Sequence, residues 1–294
     1  MDMSSPKSFI REINFRKLMG EKLHQSLIEA IARRDSWKPE PGQVRWLFIA
    51  TFNNGGSTAL GELLDTASAA MRLVDDGEGQ WLLPQLHAPY RRWNPDAEID
   101  YKLVRGMWLR EVRKVGNFPR LVVEKSPGNM VRMRPLLDAF SDMPCTVIRL
   151  TRDPYAVCRS WGKRYSLEHL EKFWSEDVSG IERKSLDHYH LLGDIYGRRA
   201  KLLLGLDDVT ELALTYEDLT EKTAEVLEQL VALEPLLHDV QRDAKLRVKD
   251  YEPRPLKNMN ERQISKLSAE QIEAISEGLK PHADAVTALG YEIR

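Results

Sequence analysis

Short apolar runs alternate with longer stretches of helical period along most of the chain. Residues 45–51, 121–124 and 146–151 are largely apolar and lack the alternation of a half-exposed strand, so they read as strands buried on both faces. Residues 71–74 and 209–215 are two further strand-like runs. Between the strands, apolar positions recur at helical spacing over 57–68, 98–115, 129–140, 155–164 and 183–204. Strands alternating with helices predict βαβ units, and so an α/β fold with a central parallel sheet flanked by helices. Beyond the last strand the pattern is mainly helical, over 219–233, 236–248 and 268–288, and Ser268-Ala-Glu-Gln271 has the spacing of a capping box. Residues 1–44 read as an N-terminal helical segment and linker. There Phe9, Ile10, Ile13, Leu18, Leu23 and Leu27 share one face, and WKPEPGQ at 37–43 leads into the first strand. Residues 45–294 read as a single α/β domain.

Composition narrows the class. The chain has 294 residues, 42% hydrophobic and 30% charged, which is ordinary for a globular protein. A formal net charge of −2 carries no polycation signal, which disfavours nucleic acid and anionic membrane as partners. No apolar run approaches the roughly 20 residues of a membrane span, and the first residues lack the apolar stretch of a secretory signal. The two cysteines, Cys145 and Cys158, fall in or beside core elements and read as small buried hydrophobes in a reducing compartment. A cytoplasmic location is the expectation.

In an open parallel sheet, ligands bind beyond the carboxyl ends of the strands, so the residues that follow each strand matter most. After the first strand comes Asn53-Asn54-Gly55-Gly56-Ser57-Thr58, opening a helix. Glycines let backbone N–H groups approach an anion, and a helix N-terminus adds partial positive charge. The Walker pattern fails here, because its lysine is missing. After 121–124 comes Lys125-Ser126-Pro127, directly behind Glu124. After 146–151 comes Arg152-Asp153-Pro154, with Ser160 eight residues past Arg152. Asp153 suits an N-cap and Pro154 a first helical turn. After 209–215 comes Tyr216-Glu217-Asp218, again a strand running into a helix. No HxxH or CxxC pattern suggests a metal.

In this order, at these strand ends, the segments resemble the sulfotransferases that use 3′-phosphoadenosine 5′-phosphosulfate (PAPS) and release 3′-phosphoadenosine 5′-phosphate (PAP). The resemblance runs from about Trp46 to Leu219 and is most specific at Arg152 and Ser160. It implies the P-loop-like sulfotransferase fold, with the strand–loop–helix of Asn53, Asn54, Gly55, Gly56, Ser57 and Thr58 holding the 5′-phosphosulfate. It implies that Arg152 and Ser160 bind the 3′-phosphate and that Tyr216 lies near the adenine. Relatives clasp the 3′-phosphate with a late basic loop, and Arg254 and Lys257 are the matching residues, without that loop's usual glycines. The EKSP stretch at 124–127 is common in the carbohydrate and bacterial branches. The implied acceptor is a small-molecule, lipid or carbohydrate hydroxyl, less favourably an amine, and no metal is required.

One position departs from the family. Asn54 stands where most relatives carry lysine or arginine. The cation then comes from elsewhere, with Lys125 the first choice, or the loop N–H groups and helix end carry more of the load, or the protein binds nucleotide without turnover. For the general base, Glu78 between Gly77 and Gly79 leads, His87 is the alternative and Glu124 a third choice. Trp81, Tyr90, Trp93 and Trp108 stack on a sugar or ring-system acceptor or pack the core, Trp161, Tyr165 and Trp174 close the pocket behind the 3′-phosphate element, and Arg91-Arg92 meets an anionic acceptor or faces water. The rival readings are a nucleotide-binding scaffold and a small-molecule kinase.

Overall fold

The computed structural model describes residues 37–174, 187–247 and 252–294, with Leu23, 26–32 and Arg34 ahead of them. Most of the expected N-terminal amphipathic helix therefore lies outside the described residues, although 26–32 are helical. The sheet has five parallel strands in the order β2-β3-β1-β4-β5, with β1 Val44–Thr51, β2 Ala70–Met71, β3 Arg120–Glu124, β4 Cys145–Thr151 and β5 Leu212–Thr215. Strand β1 is central, and its side chains divide by parity. Trp46, Phe48 and Ala50 join one core layer, while Leu47 and Ile49 join the other. This is why its sequence is apolar at successive positions rather than at alternate ones.

Helices cover both faces. On the Leu47 side lie α1 (Ser57–Leu64), α8 (Tyr216–Glu221) and α9 (Thr223–Leu233), contributing Leu60, Leu63, Leu219 and Leu230. On the Trp46 side lie α3 (Tyr101–Val115), α4 (Met133–Ala139), α5 (Pro154–Arg164) and α7 (His188–Leu204), contributing Trp108, Leu136, Trp161 and Leu203. Shorter helices α2 (Pro84–His87) and α6 (Leu167–Phe173) follow β2 and α5. The C-terminal part holds α10 (Asn260–Ile264), α11 (Ala269–Leu279) and α12 (Ala283–Ala288), with α11 packed on α7. Because β1 is flanked by β3 on one side and β4 on the other, the winding reverses there. The carboxyl ends of these three strands therefore border the crevice where α/β sheets bind ligands.

Several boundaries differ from the sequence expectation. The 129–140 stretch starts its α-helix at Met133, which puts Pro135 in the first turn, where a missing N–H costs nothing. The 219–233 run begins earlier, at Tyr216, and breaks in two at Lys222. Thr215 caps the first piece by accepting from the Asp218 N–H at 3.0 Å. The 236–248 stretch does not form the expected helix over 236–247, and 248 lies outside the described residues. After the short turn Pro235–Leu237 its polar groups bond to the loop behind α1 instead: Asp239 accepts from the Ser68 N–H at 3.1 Å, and the Gln241 N–H donates to Thr66 at 2.9 Å. Pro281 divides the 268–288 run, while the capping box at Ser268 and Gln271 forms as expected. No helix among the described residues is long and apolar enough to cross a membrane.

Candidate active site

The loop between β1 and α1 is shaped by contacts that only glycine permits. Gly56 has φ 104°, and a Cβ on it would stand 2.5 Å from the Tyr216 ring; a Cβ on Gly55 would stand 2.5 Å from Thr51 Oγ1. Asn54 also takes a left-handed conformation, φ 63°, which asparagine tolerates better than most residues. The loop carbonyls turn towards α5 and the end of β4. Trp161 Nε1 donates to the Asn53 carbonyl at 2.9 Å, and Arg152 Nη1 donates to the Asn54 carbonyl at 3.1 Å. The N–H groups of Gly56, Ser57 and Thr58 have no hydrogen-bond partner among the described residues, which leaves a ring of donors at the start of α1.

Arg152 follows β4 and is only 8% exposed. Asp153 caps α5 by accepting from the Ala156 N–H at 2.9 Å, and the Tyr196 hydroxyl holds the Arg152 carbonyl at 2.8 Å. The guanidinium lies 4.1 Å from the Tyr216 ring centroid and donates from Nε to Asn260 Oδ1 at 2.8 Å. Burial lowers the Arg152 pKa, so this cation is short of water and gains from an anionic partner. Ser160 lies two turns into α5. One turn further, Arg164 Nη1 donates to Asn54 Oδ1 at 3.4 Å. Asn54 is thus held by one arginine through its backbone and by another through its side chain.

The second cluster joins the ends of β2 and β3. Lys125 is 1% exposed, and its Nζ stands 3.5 Å from Glu78 Oε1. The lysine stem runs between Gly61 of α1 and Gly77, where a Cβ would meet it at 3.4 Å and 2.8 Å. Gln80 Nε2 donates to Glu78 Oε2 at 2.6 Å, and Arg92 Nη2 stands 3.7 Å from that same oxygen. Glu124 is fully buried and faces the other way. It accepts from the Gly79 N–H at 2.8 Å, the Ser126 N–H at 2.8 Å and Asn129 Nδ2 at 3.1 Å. Burial pushes its pKa up to about 7 despite these donors. Glu124 therefore fastens the Gly79 turn to β3, and Glu78 is the acid left facing Lys125.

The remaining expected residues fall elsewhere. His87 ends α2 and packs on the Trp81 ring at 5.2 Å. Trp93, Trp108, Trp161 and Trp174 are buried in the core, and Tyr90 is exposed. The Arg199 guanidinium is stacked 3.9 Å from the Trp93 ring and 4.0 Å from that of Trp174, so these indoles are engaged in packing. Arg254 forms an antiparallel bridge with Leu246, and Lys257 contributes its carbonyl, which accepts from the Tyr216 hydroxyl at 2.9 Å. The C-terminal side chain that reaches Arg152 is Asn260, which nothing in the sequence marks. Arg164 was readable in principle, since it lies four residues past Ser160 on the same helix face.

The sequence pattern of the sulfotransferase family matches residues 47–234, and the chain belongs to that family. The sulfotransferase domain of the Synechococcus PCC 7002 olefin synthase is similar in structure, with a TM-score of 0.50 at 14% identity, covering 88% of this chain and 100% of that one. Sulfotransferase STF9 from Mycobacterium avium is similar with a TM-score of 0.52 at 15% identity, covering 94% of this chain and 83% of that one. At these identities the likeness is one of fold, and it matches the five-stranded parallel sheet described above. A search of curated proteins returned no match.

Proposed function

We propose that the protein transfers the sulfuryl group of PAPS to a hydroxyl of a small-molecule, lipid or carbohydrate acceptor. The observation that carries this reading is the arrangement of two anion-binding features and one acid–base pair at the carboxyl ends of adjacent strands. They are the free N–H groups at the start of α1, the Arg152 guanidinium with its Nη2 unbonded among the described residues, and Lys125 beside Glu78.

In this reading the backbone of Gly55, Gly56, Ser57 and Thr58, flanked by Asn53 and Asn54, holds the 5′-phosphosulfate. Arg152 and Ser160 take the 3′-phosphate by charge-assisted hydrogen bonds. Tyr216 shapes the adenine side, with Arg254 and Lys257 bordering it. Glu78 removes the acceptor's hydroxyl proton as its oxygen forms the new bond to sulfur, with His87 as the alternative base. The bond from sulfur to the 5′-phosphate oxygen breaks, and PAP leaves with the electron pair. Lys125 faces the charge that builds on that oxygen, and Arg164 adds a second cation beside Asn54. Such transfers depend on positioning and charge neutralisation rather than on covalent help from the protein.

The test combines binding with turnover. PAP without Mg²⁺ should raise the melting temperature, and label from sulfur-labelled PAPS should pass to members of an acceptor panel. Stabilisation by PAP without turnover on any acceptor would make this a binding protein. Stabilisation by ATP with Mg²⁺ but not by PAP would overturn the reading in favour of phosphoryl transfer.

A further inference from the structure

Arg152 is held at two of its three guanidinium nitrogens. Nε donates to Asn260 Oδ1 at 2.8 Å and Nη1 to the Asn54 carbonyl at 3.1 Å, while Nη2 has no hydrogen bond among the described residues. Asn260 is the first residue of α10 and only 8% exposed. It comes from outside residues 47–234, the span of the family pattern. Its Nδ2 donates in turn to Glu217 Oε1, which also accepts from the Asp153 N–H at 3.0 Å. Glu217 Oε2 accepts from the Tyr291 hydroxyl at 3.0 Å. Burial and the neighbouring Glu217 hold that phenol protonated well above its ordinary range, so it serves as a donor. A buried guanidinium and a carboxylate thus face each other with one primary amide between them.

A carboxamide suits that place, because it accepts on one side and donates on the other. Alanine would remove the spacer and let the two charges meet. An aspartate would add a second carboxylate against Glu217. In a direct Arg152–Glu217 ion pair, an incoming anion would have to displace the carboxylate before it gained the cation, because opposite charges in a desolvated site interact strongly.

Building on the PAPS reading, we infer that Asn260 is a positioning residue that separates Arg152 from Glu217 and so keeps the arginine's outer edge available for the 3′-phosphate. The specificity of the site for a nucleotide with a 3′-phosphate then depends on a neutral residue of the C-terminal part, not on a basic one.

Calorimetry with PAP and with adenosine 5′-phosphosulfate, which lacks the 3′-phosphate, tests this. Asn260→Ala should weaken PAP about tenfold or more, on the scale of one charge-assisted hydrogen bond, and leave the second ligand within about twofold. The double variant Asn260→Ala/Glu217→Gln should then bind PAP more tightly than Asn260→Ala alone, because the competing charge is gone. A residue needed only for structure would show the opposite, since the second change removes yet another hydrogen-bond acceptor. Asn260→Ser provides the same comparison if the alanine variant does not fold. Equal losses for both ligands, unchanged PAP affinity in Asn260→Ala, or a double variant weaker than the single would each overturn the inference. A wild-type protein that binds PAP no better than the ligand without a 3′-phosphate would instead overturn the nucleotide assignment on which it rests.

Discussion

The Lys125 ammonium stands 3.5 Å from the Glu78 carboxylate, although the two residues reach that point from different strand ends. Lys125 follows β3, and Glu78 lies in the turn behind β2. The meeting is made possible by glycines at 61 and 77, which leave a channel for the lysine stem, and by Glu124, which ties the Gly79 N–H to β3. A buried lysine needs a partner of opposite charge or a ligand. Glu78 is that partner, and its other oxygen is held by Gln80. The pair places a carboxylate and a cation within one site, the two groups that the proposed transfer from PAPS to a hydroxyl would use.

Glu78→Gln keeps the shape and the size of the side chain while removing the carboxylate proposed as the base. Turnover should fall by at least about 10²-fold, the lower end for loss of a general base, with PAPS affinity nearly intact. His87→Ala should cost much less. Steady-state rates and PAP calorimetry on both variants check this, and the reverse order of rates would move the base to His87.

Lys125→Met retains the buried stem and removes only the charge. If this lysine faces the leaving oxygen, turnover should drop by about 10²–10³-fold, the scale of one preorganised electrostatic donor. Asn54→Ala should cost far less, because Asn54 carries no charge and its side chain gives up only a long 3.4 Å contact with Arg164. Asn54→Lys should partly rescue Lys125→Met, since the two side chains would serve one charge, and rates of both singles and the double give the coupling. Strictly additive effects would assign the load to the loop N–H groups, Arg164 and the end of α1.

Glu124 makes stability depend on pH with a definite sign. Its folded pKa of about 7 exceeds the ordinary 4.5, so between those values the native state binds the extra proton. Its contribution is fully present below about pH 4.5 and is lost as pH rises through about 7, a change on the order of 3 kcal/mol. Urea unfolding of wild type and Glu124→Gln across that window should show a difference that falls with pH and then levels off. A difference independent of pH would mean that Glu124 is ionised throughout.

The part of the site that was legible from sequence is the part set by local spacing. The loop from Asn53 to Thr58, Arg152 with its capped helix and Ser160, and Lys125 behind an apolar strand all follow from where a buried strand ends. Glu78 stood out in the sequence by its flanking glycines, but the reason for them needs the structure: Gly77 leaves room for the Lys125 stem, and Gly79 packs against Leu73, Glu124 and Trp108. Contacts between distant segments were not legible. Asn260 meets Arg152 across 108 residues of chain, and Tyr291 meets Glu217 across 74. The helix expected over 236–248 failed for the same reason. Its apolar positions fit a helix, but Asp239 and Gln241 bond to the distant loop at Thr66 and Ser68. Of the aromatics expected around the acceptor, Trp93, Trp108, Trp161 and Trp174 lie in the core, where large apolar rings gain most from burial.

The account stands most directly on the 3′-phosphate. Calorimetry of PAP and of adenosine 5′-phosphosulfate, in buffer free of Mg²⁺, should be run on wild type and Arg152→Ala. Arg152→Ala should lose about 2–5 kcal/mol of PAP binding, because one partner of a desolvated charge pair is removed, while the ligand without a 3′-phosphate should lose far less, through the Asn54 carbonyl contact alone. Equal losses for both ligands, or no loss for PAP, would contradict the assignment of Arg152 and with it the reading of this protein as a PAPS-dependent sulfotransferase.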